Sequence, residues 1–153
     1  MTDEALQNLI GGWFDDLEFT TEESQFLNVK VSPEFLHPLM QKLREHPETE
    51  FDYLFCLTGV DWGEELGVIY HLESTTKRHI LVVKVSTADR ENPELDTVCD
   101  LWFTAEFHER EVFDFFGIRF RNHPNLKRLF LTEDWEGYPL RKDYEDDVNM
   151  ILH

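Results

Sequence analysis

Between residues 51 and 86 the chain sets three apolar runs of strand length, Phe51–Val60, Leu66–Glu73 and His79–Ser86, against two polar turns, DWGEE and STTKR. Turns this short leave no room for a crossover, so successive runs reverse direction and form an antiparallel meander. Everything else must pack on that sheet. Upstream, Leu6, Leu9, Ile10 and Trp13 recur at helical spacing, and Gly11-Gly12 close the helix. Leu27, Val29 and Val31 alternate with Phe26, Asn28 and Lys30, as in a strand paired with Leu17–Thr20 across TEES. Ser32-Pro33 supplies an N-cap and first helical position for a helix to about Glu45, with Phe35, Leu36, Leu39, Met40 and Leu43 inward. Pro38 predicts a kink or a later start.

From Asp96/Thr97 the period is helical again, through Val98, Leu101, Trp102 and Ala105, then Val112, Phe113 and Phe116. His108 and Glu109 interrupt that stripe. Either the helix breaks near Thr104, or Glu109 turns its carboxylate inward toward a cation. Gly117 is expected to end the helix with positive φ. Beyond it Pro124, Gly137 and Pro139 forbid a long regular element. The order α-β-β-α-β-β-β-α-α implies a two-layer α+β domain, a mixed or antiparallel sheet with helices on one face. Residues 1–116 are expected to form that domain, and 117–153 an extended docking tail belonging to it.

The tail region differs from the rest in charge. The chain carries −18 overall, yet residues 109–144 hold seven basic and seven acidic residues. From Trp102 to Tyr144 lie eleven of the chain's 21 aromatics. Each ring can bury about 150–250 Å², more in total than an irregular segment can hide beneath itself, and a monomer rarely leaves that much exposed. Cations set among aromatics are the composition of a surface covered by another protein. The acidity of the remainder argues against nucleic acid and anionic lipid as partners. It fits either solubility or basic neighbours in an assembly.

Little points to chemistry within the chain. Cys56 and Cys99, the only cysteines, are expected to be buried thiols, too few for an iron–sulfur cluster, which takes four ligands. HExxH is absent, no glycines are spaced G-x-G, and no serine sits in a nucleophile elbow. No basic-then-apolar leader opens the chain, and no apolar run approaches the roughly 20 residues that span a bilayer. Direct membrane insertion is not expected. Glu106, Arg110 and Asp114, spaced i, i+4, i+8, could form an ion-pair ladder, or Glu109, Arg110 and Glu111 could organise a docking surface. His123-Pro124 fits a turn whose imidazole serves local backbone groups, or else a relay or ligand histidine. Gly137, Tyr138 and Pro139 make a turn expected to present Arg141 and Lys142 on opposite sides of an extended run.

The string E-R-E-x-x-D-x-F-G-I-x-F-x-x-H-P-x-L-x-R, followed by W-x-G-x-P-L-R-K-D-Y, resembles the signature of the C subunit of the proton-translocating NADH:quinone oxidoreductase, respiratory complex I. It runs through Glu109, Arg110, Glu111, Asp114, Phe116, Gly117, Ile118, Phe120, His123, Pro124, Leu126 and Arg128. It resumes at Trp135, Gly137, Pro139, Leu140, Arg141, Lys142, Asp143 and Tyr144. With the chain ending nine residues after Tyr144, an unfused subunit is expected. The resemblance implies a structural subunit without catalytic, cofactor or metal site. NADH, FMN, iron–sulfur clusters and quinone would be held by other chains of the complex. Its place would be the hydrophilic arm, peripheral on the cytoplasmic side of the cell inner membrane. Its tail would wrap over the quinone-site subunit, near the cluster-bearing subunits. Contacts with those neighbours are then expected at Glu109, Arg110, Glu111, Asp114, His123, Arg128, Trp135, Pro139, Arg141, Lys142 and Tyr144. Three alternatives stay open: the equivalent subunit of a related membrane-bound hydrogenase or other donor:quinone oxidoreductase, a stand-alone carboxylate/histidine enzyme, and a general adaptor.

Overall fold

The meander forms as expected and is the sheet's organising unit. In the computed structural model, which describes residues 2–21, 26–128, 131 and 136–143, strands β3 (Tyr53–Asp61), β4 (Leu66–Ser74) and β5 (His79–Thr87) pair antiparallel. β1 (Glu18–Thr20) and β2 (Leu27–Val31) form the upstream hairpin, and β2 joins the meander parallel to β5. The five-stranded order is β1-β2-β5-β4-β3. One parallel pair among antiparallel ones makes the sheet mixed, because the chain crosses over through a helix between β2 and β3.

Helices α1 (Asp3–Gly11), α2 (Pro33–Glu45) and α3 (Ala105–Phe116) cover one face. Leu6 and Ile10 of α1, and Leu36, Leu39, Met40 and Leu43 of α2, share one core with Leu27, Val29, Val68, Tyr70, Leu81 and Val83 of the sheet. Thr2 caps α1, its side chain accepting the Ala5 N–H at 3.2 Å. α2 runs unbroken through Pro38. So early in a helix the missing N–H forfeits a single bond, and four buried apolar side chains outweigh it.

Two expectations are corrected. The helical period from Asp96/Thr97 does not begin a helix, which starts only at Ala105. Residues 94–96 instead form β6 (Glu94–Asp96), parallel to a further strand, β7 (Arg119–Arg121), in a separate two-stranded ribbon. Between β6 and α3 the chain turns on itself, with Leu101 and Trp102 both donating backbone N–H to the Val98 carbonyl. Val98, Leu101 and Trp102 still face the core, which is why their spacing looks helical. The Trp102 indole donates to the Phe51 carbonyl at 3.0 Å, fastening this turn to the start of β3. The cysteines are the second correction. Both are half-buried free thiols, and Cys99 lies in that turn; burial pushes the Cys99 thiol up.

α3 packs close on β3 because Gly59 has no side chain. A Cβ there would lie 2.6 Å from the Phe116 ring and 3.2 Å from Val112. Gly59→Ala should therefore cost about 1–3 kcal/mol, read as a lower denaturant midpoint at unchanged m-value; an unchanged midpoint would mean that α3 does not bear on β3 at this point.

Candidate docking site built on the third helix

Two groups of signature residues are fixed by α3, one on each half. On the first, Glu109 is fully buried and its carboxylate accepts from the Thr97 hydroxyl and from the Val98 N–H at 3.0 Å. The inward turn expected of Glu109 is thus real, but its partners are a hydroxyl and an amide rather than a cation. The His123 ring stands 3.9 Å away and is occupied by backbone: Nε2 is 3.0 Å from the Glu106 carbonyl, and Nδ1 accepts the Asn125 N–H at 3.0 Å. Because a carbonyl only accepts and an amide only donates, these bonds place the imidazole proton on Nε2. His123 is the turn residue that its Pro124 neighbour suggested.

Desolvation raises the Glu109 carboxyl from 4.5 to about 7, the Thr97 and Val98 bonds offsetting only part of it. Tyr70 of β4, also fully buried, has a hydroxyl with no hydrogen-bond partner among the described residues. Burial pushes that phenol far up, and the charges of Glu109 and Asp96 add to it.

The second half holds the tail. The carbonyls of the last turn of α3 have no partners within the helix, and the helix has no basic residue in that turn. The adjoining Gly117 N–H bonds the Phe113 carbonyl at 2.9 Å, and distant residues supply the rest. Arg128 Nη1 donates to the Asp114 carbonyl at 2.6 Å. The Leu140 N–H reaches Phe115 at 3.1 Å, and Arg141 Nε reaches Phe116 at 2.6 Å. Two guanidinium groups thus meet the negative end of the helix dipole. Arg128 also pairs with the buried Asp114 carboxylate at 3.2 Å, which accepts the Leu131 N–H at 3.0 Å as well.

Tyr138 lies between the two cations, 4.9 Å from each guanidinium carbon. It rests on Gly117, whose φ of 77° is left-handed as expected and where a Cβ would sit 2.6 Å from the Tyr138 ring. Arg141 extends on to the Arg90 carbonyl at 3.1 Å. Burial lowers the Arg141 pKa.

Arg90 forks onto Asp61, at the end of β3, at 2.7 and 2.8 Å. Asp61 also accepts the N–H of Gly63 and of Lys142, both at 2.8 Å. The Arg90 guanidinium holds the Asp61 carboxyl well below its usual range. A further pair, Arg90–Asp143 at 3.3 Å, secures the last described turn. Residues 139–143 are turns and a bend rather than an extended run, since Arg141 is drawn back to α3 while Lys142 is fixed by its backbone.

The residues expected to touch neighbouring subunits therefore divide by exposure. Glu109, Arg110 and Asp114 are buried, and Arg128 and Arg141 are spent largely on the chain's own backbone. Arg110 donates to the Lys127 carbonyl at 3.5 Å and lies 5.9 Å over the Phe107 ring. Among the described residues neither Glu106–Arg110 nor Arg110–Asp114 forms an ion pair, because Arg110 turns toward Lys127 and Asp114 toward Arg128. Glu111 and Lys142 expose their side chains, and Pro139 is half-buried. Trp135 and Tyr144 lie outside the described residues. Sequence reasoning passed over Asp61, Arg90 and Thr97, whose partners are separated by long stretches of chain.

Other candidate chemistry is thin. A cleft of roughly 790 Å³ lies between α2 and the turn after β6, lined by Glu34, His37, Cys99, Asp100 and Phe103 among others. Glu34 and His37 stand i, i+3 on α2, but His37 is bonded to Asp100 at 2.8 Å. Among the described residues no three His, Cys, Asp or Glu side chains are arranged to hold a metal ion, and no helix is long and apolar enough to cross a membrane.

Fold and strip together define an α+β subunit domain that invests its signature residues in fixing a C-terminal segment. Residues 29–148 match the family model described as respiratory-chain NADH dehydrogenase, 30 kDa subunit, and the chain belongs to that family. The C/D subunit of NADH-quinone oxidoreductase from Phocaeicola vulgatus is 54% identical over 124 residues, covering 80% of this chain and 24% of that protein. The C subunit from Roseiflexus castenholzii is 46% identical over 120 residues, covering 76% of this chain and 68% of its own. The chain spans about a quarter of the length of the C/D relatives it matches. Among solved structures, a chain of the membrane-bound sulfane sulfur reductase, an archaeal respiratory membrane complex, superposes with a TM-score of 0.79 at 25% identity, covering 97% of this chain and 88% of that one. The resemblance to the C subunit read from residues 109–144 is borne out.

Two outcomes follow for α3. The folded chain holds the Glu109 proton more tightly than the unfolded one. That contribution is complete below pH 4.5 and is lost as pH rises through about 7. Wild type should lose on the order of 3 kcal/mol across this window relative to Glu109→Gln, measured by urea melts at successive pH values; parallel profiles would show that Glu109 does not titrate there. Gly117→Ala should displace Tyr138 and expose residues 136–143 to limited proteolysis several-fold faster than wild type, and equal cleavage rates would refute the clamp.

Proposed function

We propose that this chain is a cofactor-free docking subunit in the hydrophilic arm of a membrane-bound NADH:quinone oxidoreductase, peripheral on the cytoplasmic side of the cell inner membrane. Electrons pass from NADH through FMN and iron–sulfur clusters to quinone in neighbouring chains, coupled to proton translocation. This chain fixes how the quinone-site subunit and the cluster-bearing subunits sit against each other. One observation carries the reading: in relatives such as those of Phocaeicola vulgatus and Bacteroides thetaiotaomicron, the C and D subunits are named as one polypeptide. Covalent joining keeps two modules at high effective concentration, an arrangement suited to modules that touch. The clamp on α3 supports a docking role, because a segment held in place before binding loses less entropy on association. Residues 117–153 act as that docking segment. Glu109, Arg110, Asp114, His123, Arg128 and Arg141 shape it from beneath, while Glu111, Pro139 and Lys142 are offered to the neighbour; Trp135 and Tyr144 complete the contact.

A second reading is favoured by the structural likeness to the sulfane sulfur reductase: the same role in a related complex fed by another electron donor. Affinity capture of the tagged chain from detergent-solubilised membranes, with identification of the captured subunits and iron analysis, tests both. The quinone-site and cluster-bearing subunits should co-purify with stoichiometric iron, and the donor-side subunits distinguish the two complexes. Recovery of the chain alone, or with soluble proteins only, would overturn both. Arg141→Glu should reduce recovery of the complex about tenfold while circular dichroism stays native; outright unfolding would make Arg141 a core residue.

A further inference from the structure

The cleft between α2 and the turn after β6 lies at the start of α3, at the opposite end of that twelve-residue helix from the clamped segment. A helix of that length separates the two places by about 18 Å. The cleft's roughly 790 Å³ is within the range that holds a bound group, about 300–1,000 Å³. Pro38, Phe103 and Pro124 give it apolar walls. At 78%, Phe103 is the most exposed large hydrophobic side chain among the described residues. A ring so far out of the core contributes little to folding.

Four carboxylates share the same walls, each from a different part of the fold. Glu34 comes from the first turn of α2, Asp96 from β6, Asp100 from the turn that follows, and Glu106 from the first turn of α3. No run of sequence brings them together; folding does. Two are answered within the chain. Arg121 pairs with Asp96 at 2.9 Å, and His37 is bonded to Asp100 at 2.8 Å. Glu34 and Glu106 have no ion-pair partner among the described residues. Each sits at a helix N-terminus, whose dipole is worth about half a positive charge, enough to favour an acid there and too little to cancel it. Solubility accounts for exposed carboxylates, but it would not set an exposed ring among them. A cationic partner accounts for both. Arginine suits the pair best, because its fork takes a carboxylate and its plane lies on a ring.

We propose that a basic segment of a neighbouring subunit docks in this cleft, its cations meeting Glu34 and Glu106 and an arginine among them stacking on Phe103. The contact rests on the docking reading above and adds a second point to it. A single contact leaves a neighbour free to pivot, whereas contacts at both ends of α3 fix its angle. Part of the net charge of −18 then has a partner other than solvent.

Carbodiimide coupling of glycine ethyl ester to carboxylates, read by peptide mass spectrometry on the purified membrane complex and on the full chain alone, tests coverage. Glu34 and Glu106 should label several-fold more slowly in the complex. Charge is read separately, through recovery of the complex by the tagged chain. Recovery should fall from wild type through Glu34→Gln with Glu106→Gln to Glu34→Lys with Glu106→Lys, by about tenfold in all. The gap between wild type and the glutamine pair should narrow as salt is raised. Phe103→Leu, which keeps apolar bulk and loses the π face, should lower recovery several-fold. The glutamine and leucine variants should melt with wild type, since none of these side chains holds the fold. Equal labelling in the two states, with the complex recovered, would overturn this contact and leave the docking reading standing. Protection combined with recovery indifferent to charge would do the same, because it would put an uncharged segment in the cleft. Slow labelling already in the chain alone would mean that its own residues, or a second copy seen as a dimer by light scattering, fill the cleft, and would refute the proposal. If wild type captures no complex, the docking reading fails and this contact with it.

Discussion

The negative end of α3 is the point on which the C-terminal part depends. A helix that stops at Gly117 leaves four carbonyls and a partial negative charge facing outward, and its own last turn offers no cation. Arg128, Leu140 and Arg141, drawn from beyond β7, complete it. The benefit runs in both directions. The helix gains charge-assisted bonds worth more than neutral ones, and the segment gains fixed anchors that its sequence could not provide through periodicity. Tyr138, held between two guanidinium groups over Gly117, makes the anchors one unit: a residue larger than glycine at 117 would lift the ring from both cations.

Glu109 does for the front of α3 what the guanidinium groups do for its end. Its carboxylate ties down Thr97 and Val98, and so the whole turn leading out of β6. The neighbouring imidazole of His123 fastens the turn after β7 to the Glu106 carbonyl. The two-stranded ribbon is therefore tied to α3 by buried polar groups that specify its register. The cost is a carboxyl that resists ionisation and a phenol, Tyr70, with no hydrogen-bond partner among the described residues. Polar groups kept inside at such expense fix one arrangement rather than add stability.

Much of the fold was legible because it follows from short-range periodicity. The meander, the upstream hairpin, α2 with Ser32-Pro33 at its start and the left-handed Gly117 all rest on residues within a few positions of one another. The stretch from Thr97 to Thr104 misled because turns can place Val98, Leu101 and Trp102 on the core as well as a helix can. β6 and β7 escaped notice because each has three residues and its partner lies beyond α3. At the docking site, residue types signalled a covered surface, yet composition does not say which cations are used within the chain. Arg128 and Arg141 look like interface residues by type, yet both bond groups within the chain.

By itself the sequence determined the class of the domain, the meander at its centre and its kinship with the 30 kDa subunit family, since local pattern and a dense motif carry each of these. Only the tertiary structure decided that Asp61 meets Lys142 across 81 positions, that Glu109 turns to an amide and a hydroxyl, and that Arg141 is drawn back to the end of α3. Those outcomes depend on which distant groups arrive at the same place. Burial, helix dipoles and unpaired carbonyls select them, and none of these exists until the chain has folded.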